Sequence, residues 1–139
     1  MMSTQPKLTL IDDDSICNFV SEMAIRCSGF ATDISVSNKP ACAMACLRSI
    51  AETKPESFPD LIFLDLNMPV MDGWDCLDAL SQLPEVFEKS KVVILSSSVC
   101  DADIIRASNY RIVLAFVSKP LTSEKIADLL LKFDFALAA

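Results

Sequence analysis

Histidine does not occur once among the 139 residues. Imidazole acid–base catalysis and imidazole metal ligation are therefore excluded. The six cysteines, Cys17, Cys27, Cys42, Cys46, Cys76 and Cys100, include no Cys-x-x-Cys pair, and no histidine completes a zinc set. Reduced, structural thiols are expected, with Cys42 and Cys46 buried as small hydrophobes on one helical face. No apolar run approaches the length of a membrane span. The start, Met1-Met2-Ser3-Thr4-Gln5-Pro6-Lys7, lacks the basic-then-apolar order of a signal peptide, so a soluble cytoplasmic protein is expected. Repeats, low-complexity segments and interdomain linkers are missing too. A net charge of −7 argues against general affinity for nucleic acid, which rests on neutralising phosphates with Lys and Arg.

What is present is a set of apolar runs that all end in polar chemistry. Leu8-Thr9-Leu10-Ile11 runs into Asp12-Asp13-Asp14, and Leu61-Ile62-Phe63-Leu64 into Asp65. Val92-Val93-Ile94-Leu95 reaches Ser96-Ser97-Ser98, and Val113-Leu114-Ala115-Phe116-Val117 reaches Ser118-Lys119-Pro120. Such runs read as buried strands. Open α/β sheets bind ligands at the carboxyl edge, where these residues fall.

Between the runs the period changes to helical. The first strand covers about Lys7 to Ile11, and a helix follows from near Ser15, capped by Asp14 or Ser15. Ile16, Phe19, Val20, Met23 and Cys27 recur at helical spacing, and Gly29 suits the exit. A short strand is expected at Thr32 to Val36 and a helix at Pro40 to Ala51, with Asn38 near its start and Pro40 in its first turn. Residues Glu52 to Pro59 read as a loop, and Leu61 to Leu64 as strand three. A third helix follows Gly73, turns Trp74, Leu77 and Leu80 inward, and ends before Pro84. Strand four is Lys91 to Leu95, helix four lies around Ala102 to Ser108, and strand five ends at Ser118. Thr122 or Ser123 caps a fifth helix with Ile126, Leu129, Leu130 and Phe133 on one face, and Phe135 to Ala139 reads as a frayed end. Strands alternating with helices imply right-handed crossovers, a parallel sheet and helices on both faces.

The strand ends supply acids, a hydroxyl and an ammonium. A carboxylate is a competent nucleophile toward phosphorus and gives an acyl phosphate. Clustered acids repel unless a cation joins them, and magnesium suits carboxylate and carbonyl oxygens together with a phosphate. Lys119 can neutralise a phosphate oxygen and Ser96 can donate to another.

With these residues in this order, the chain resembles the receiver domain of bacterial two-component response regulators. The likeness runs from about Lys7 to Leu131. It rests on Asp12-Asp13, Asp65, Met68-Pro69-Val70-Met71-Asp72-Gly73, Ser96 and Lys119-Pro120. It implies a flavodoxin-like doubly wound fold, a five-stranded parallel sheet in the order 2-1-3-4-5 flanked by five helices, in one domain over residues 1–139 with no room for an output domain. Asp65 then looks like the phosphoacceptor, served by a histidine kinase or a histidine phosphotransfer protein, because any phosphohistidine must lie on a partner. The resemblance implies Mg2+ held by Asp12, Asp13, Asp65 and the backbone carbonyl of Asn67. It implies Lys119 on a phosphate oxygen, Ser96 and Phe116 as the switch pair, and Pro120 in a cis linkage that aims the lysine. Phosphorylation would change the face of helix four, strand five and helix five, which an unnamed downstream protein reads. Nucleic acid and membrane insertion are not expected, nor is an enzyme beyond self-catalysed phosphotransfer and autodephosphorylation.

Two rival readings fit less well. A phosphorylation-independent pseudo-receiver would lack an acid, the acceptor or the lysine, and none is missing. A haloacid-dehalogenase-like phosphatase wants a second Asp two residues after its nucleophile, where this chain has Asn67. One departure concerns the turn before strand five, Ala107-Ser108-Asn109-Tyr110-Arg111. Many receivers carry Gly there, so Asn109 is expected to supply the left-handed conformation.

Overall fold

A computed structural model describes residues 6–31, 33–83, 90–98 and 100–138, with the side chains of the final helix described through residue 132. In chain order the elements are β1 (Lys7–Ile11), α1 (Ser15–Ser28), β2 (Asp33–Ser37), α2 (Pro40–Thr53) and a 3-10 turn (Pro55–Ser57). There follow β3 (Leu61–Asp65), α3 (Gly73–Ser81), β4 (Lys91–Ser96), α4 (Asp101–Ser108), β5 (Val113–Ser118) and α5 (Ser123–Ala138). The five strands form one parallel sheet in the order β2-β1-β3-β4-β5.

Register decides which side chains share a face. Ile11, Leu64, Ile94 and Phe116 stand in one row across β1, β3, β4 and β5. That row packs under α2, α3 and α4, with Met44, Leu47, Leu77, Leu80 and Ala107. The neighbouring row, Leu10, Phe63, Val93 and Ala115, faces the other way and meets Ile25 of α1 with Ile126 and Leu129 of α5. A slip of one residue would exchange the two sets, so burial on both faces locks the register. The pairing of β4 with β5 contains one irregularity, between Val92 and Val93, where the partner moves from Val113 to Ala115. This extra residue brings Ser118 opposite Ser96.

Helix starts follow their caps. Asp14 accepts from the backbone N–H groups of Ile16 and Cys17, and Gly29 closes α1 at φ 75°. Asp72 opens α3 in a reciprocal capping box with Asp75. Thr122 accepts from the Lys125 N–H at the start of α5, matching the expected cap.

Several expectations need correction. The Ile16, Phe19, Val20 and Met23 stripe of α1 lies on the solvent side, with Ile16 76% and Phe19 64% exposed, and Cys27 is exposed as well. The inward face is Asn18, Ser21 and Ile25, because Asn18 donates to the carbonyls of Asp12 and Ser37 and ties the ends of β1 and β2 together. Cys42 and Cys46 are exposed, whereas Cys76 is buried, and burial pushes its thiol up to about 12. Asn109 takes the right-handed helical conformation at φ −79°, so the turn before β5 needs no left-handed residue. β2 is offset to Asp33–Ser37, and α2 extends to Thr53, two residues past the expected Ala51. The stretch expected to fray continues α5 through Ala138. Thr32, Pro84 and Ala139, and the Phe133 side chain, lie outside the described residues.

Trp74 is only partly buried. Its ring lies 4.1 Å from the Arg106 guanidinium carbon and 6.1 Å from the Tyr110 ring, while the Tyr110 hydroxyl donates to Asp78 at 2.7 Å. This cluster joins α3 to α4 and the turn after it through a cation–π contact, a ring pair and one hydrogen bond. The hydrogen bond to Asp78, followed by burial, raises the Tyr110 hydroxyl above its ordinary pKa.

Candidate functional site

Four parallel strands end side by side, so the residue following each apolar run is delivered to one edge. Ile11 pairs with Leu64, which sets Asp12 beside Asp65, and Ser96 pairs with Ser118, the residue before Lys119. Asp12 and Asp65 are 6% and 5% exposed, and Asp13 is open to solvent. The three carboxylates each offer an oxygen within 4.8 Å of the others.

Lys119 holds this cluster together. Its ammonium lies 2.6 Å from Asp12 Oδ2 and 3.3 Å from Asp65 Oδ1. Asp12 also accepts from the Asp14 backbone N–H at 2.9 Å through its other oxygen. Burial, and then the charge of Asp12, push Asp65 above its ordinary pKa against the pull of Lys119. Burial alone would lower Lys119, but its hydrogen bond to Asp12 and the charges of Asp12 and Asp65 outweigh that and raise it. The two shifts say different things about one contact. The lysine is committed to its acids, whereas Asp65 remains a carboxylate short of compensation. One ammonium against three carboxylates leaves an acidic set suited to a hard divalent cation with oxygen ligands.

The loop after β3 is held tightly around Asp65. Val70 has φ 68°, a strained value for a β-branched side chain, and the Met71 N–H donates to the Pro69 carbonyl at 2.7 Å across it. The Gly73 N–H donates to the Leu66 carbonyl at 3.0 Å. Asp72 ends this loop as the α3 cap.

Ser96 is 1% exposed, and its side chain is engaged within its own loop. Its hydroxyl donates to the Ser98 carbonyl at 2.8 Å and accepts from the Ser98 N–H at 3.2 Å. Phe116 is half-buried against the core under α2, α3 and α4. The Lys119–Pro120 peptide is cis. The geometry thus brings Asp12, Asp13 and Asp65 within 4.8 Å of one another and sets Lys119 against Asp12 and Asp65, with Ser96 and Phe116 on the two strands alongside. One positioning group, Asn18, was missed in the sequence, where it gave no signal beyond being polar, while Gly73 reads there only as part of the turn before the third helix.

Residues 8–131 match the response regulator receiver domain. The chain belongs to that family. Among curated relatives, the transcriptional regulatory protein PrrA of Mycobacterium tuberculosis is 39% identical over 77 residues, which are 55% of this chain and 29% of that regulator. The match therefore spans under a third of PrrA. Response regulator Rcp1 of Synechocystis is 31% identical over 105 residues, 74% of this chain and 70% of Rcp1. A solved two-component response regulator from Cytophaga hutchinsonii superimposes with a TM-score of 0.86 at 30% identity, covering 95% of this chain and 99% of that one. Receiver domains are signalling phosphoacceptors that generally bind Mg2+ at an acidic pocket, and the described residues of this receiver contain such a cluster. No helix among them is long and apolar enough to cross a membrane.

Proposed function

We propose that this receiver accepts a phosphoryl group on Asp65 from a phosphohistidine of a sensor kinase or phosphotransfer protein, and signals by changing its α4–β5–α5 face. The observation that carries the reading is the Lys119 ammonium set between Asp12 and Asp65 beside Asp13, an arrangement that would serve as acceptor, cation site and phosphate ligand in one cleft. In the transfer an Asp65 oxygen forms a bond to phosphorus as the donor's P–N bond breaks. The electron pair leaves with the imidazole, which takes up a proton. Asp12, Asp13, Asp65 and the Asn67 carbonyl would hold Mg2+, which supplies positive charge against the phosphoryl oxygens. Lys119 exchanges part of its contact with the acids for a phosphoryl oxygen. A cytoplasmic setting fits a phosphohistidine donor.

Incubation with phosphoramidate tests the reading. One phosphoryl adduct, formed only with Mg2+ and seen by intact mass, is the expected result. No adduct under either condition would favour a phosphorylation-independent interaction module.

The cation site has its own test. Mg2+ at a hundred times its dissociation constant stabilises a two-state domain by about 2.7 kcal/mol, or roughly 5–10 °C in Tm for this size. Asp13→Asn should abolish most of that rise. Because Asp13 is exposed and sits among like charges, the substitution should leave the metal-free Tm unchanged or slightly higher. An undiminished Mg2+ shift in Asp13→Asn would remove Asp13 from the site.

Ser96 tests the switch. Its bonds to Ser98 fix the segment that leads into α4. A hydroxyl drawn to the phosphoryl group must give them up, which frees that segment and opens space beside Phe116. Ser96→Ala should take up phosphoryl groups within about threefold of wild type. The phosphorylation-induced change in hydrogen exchange of Asp101–Ser108 should shrink markedly. An equal exchange response in both proteins would refute the switch.

A further inference from the structure

Lys125 lies in the first turn of α5, where the helix dipole disfavours a cation. Its ammonium nevertheless makes three hydrogen bonds, to Ser118 O at 2.7 Å, Pro120 O at 2.9 Å and Ser118 Oγ at 3.2 Å. An ammonium has three donors, and all of them are used on the two residues that flank Lys119. The base of Lys125 is itself fixed, since its backbone N–H donates to Thr122 Oγ1 at 3.3 Å. On the opposite side the Lys119 N–H donates to Ser96 O at 2.9 Å. The backbone of Lys119 is therefore held from both flanks, by β4 and by the first turn of α5.

We propose that Lys125 is a positioning residue for Lys119, bolting together the carbonyls on either side of it and so fixing the direction in which its side chain enters the acidic site. The proposal rests on the reading of Asp65 as phosphoacceptor. A lysine side chain has four rotatable bonds and many reachable positions. Holding its backbone at residues 118 and 120 narrows them to those that reach Asp12 and Asp65. None of the acids that would hold Mg2+ lies on this segment, so Lys125 should affect Lys119 and leave metal binding alone.

The test is a double-mutant cycle on the rate of phosphoryl uptake from phosphoramidate with Mg2+, followed by intact mass in wild type, Lys125→Met, Lys119→Met and the double variant. Lys125→Met is expected to slow uptake about fivefold or more in the wild-type background and less than about twofold when Lys119 is already replaced, because residues acting through one another are not additive. Mg2+ affinity, read from the rise in Tm across a Mg2+ titration, is expected to be the same in wild type and Lys125→Met. Equal uptake by wild type and Lys125→Met overturns the proposal. So does the same fold-change in both backgrounds, or a loss of Mg2+ affinity parallel to the loss of rate, which would mark a merely structural role. A wild-type chain that takes up no phosphoryl group overturns the phosphoacceptor reading and this proposal with it. Should Lys125→Met fail to fold, Lys125→Arg carries the same cycle, since a planar guanidinium keeps the charge but cannot reproduce three donors on these oxygens.

Discussion

Asp65→Asn should fold, bind no phosphoryl group and lose little stability. The loss of the adduct follows from chemistry, since an amide oxygen is not the nucleophile a carboxylate is. Phosphoramidate with Mg2+ should leave the variant at its unmodified mass while wild type gains one phosphoryl group. That the variant folds follows from the electrostatics. Burial and the neighbouring Asp12 already disfavour the Asp65 charge, so its removal relieves repulsion in the native state. Lys119 is not stranded either, because its shorter contact, 2.6 Å to Asp12, remains. A change within about 1 kcal/mol is expected, far below the penalty for leaving a buried charge unpaired. A pH signature comes with it. The folded pKa of Asp65 is raised, so between its ordinary value of 3.8 and the raised one the native state holds more protons than the unfolded chain. Wild type, free of metal, therefore loses stability on that account as pH rises through the window. The difference in unfolding free energy between wild type and Asp65→Asn should shift in favour of the variant across it. An adduct on Asp65→Asn would move the acceptor elsewhere, and an unfolded variant would mean that the Asp65–Lys119 contact outweighs the repulsion.

The sheet, and the meeting of Asp12, Asp13, Asp65, Ser96 and Lys119 at its carboxyl edge, were legible in the sequence because each depends on local pattern. Buried parallel strands show as short apolar runs, and the residue after each run lands on the edge by topology alone. Hence Asp12, Asp13, Asp65, Ser96 and Lys119 could be named before any coordinate. Which side of a helix faces the sheet was not legible in α1. Periodicity reported the apolar stripe through Ile16, Phe19 and Met23, but the opposite face is the one packed inward. Periodicity gives a direction only if the apolar side is the buried side. Here Asn18 overrides it by bridging two carbonyls at the ends of β1 and β2. Cys42 and Cys46 failed for a related reason: a spacing of four puts them on a common face without saying which face is covered. Lys125 was invisible because two of its three partners are backbone carbonyls, which leave no trace in residue type, and the third is an ordinary serine hydroxyl. The resting state of Ser96 is also a matter of rotamer, and no sequence pattern distinguishes a hydroxyl bonded to Ser98 from one aimed at Asp65.

Gly73→Ala should cost both stability and phosphoryl uptake, and the reason is space rather than backbone conformation. A Cβ on Gly73 would sit 2.6 Å from the Asp65 carbonyl oxygen and 2.7 Å from Leu66 Cα. Both are backbone atoms at the end of β3, so no side chain can swing aside to make room. The unfolded chain favours the substitution by about 0.4–1 kcal/mol, because alanine has less conformational freedom to lose. Overpacking opposes it by about 1–3 kcal/mol. A net loss of about 1–2 kcal/mol is therefore expected in thermal or urea unfolding. The larger effect should fall on chemistry. The strand end must shift by several tenths of an ångström, and Asp65 rides on it. Reactions that depend on held geometry lose about a hundredfold for a 1 Å misplacement, so uptake slower by about tenfold is reasonable. Gly29 is the control. It lies at φ 75° with open space around it, so Gly29→Ala strains the backbone, at about 1–2 kcal/mol, but crowds nothing near the cleft. The two variants should lose comparable stability, while only Gly73→Ala slows uptake. Equal rates in both would mean that the close approach of α3 to β3 serves packing alone, with no part in aiming Asp65.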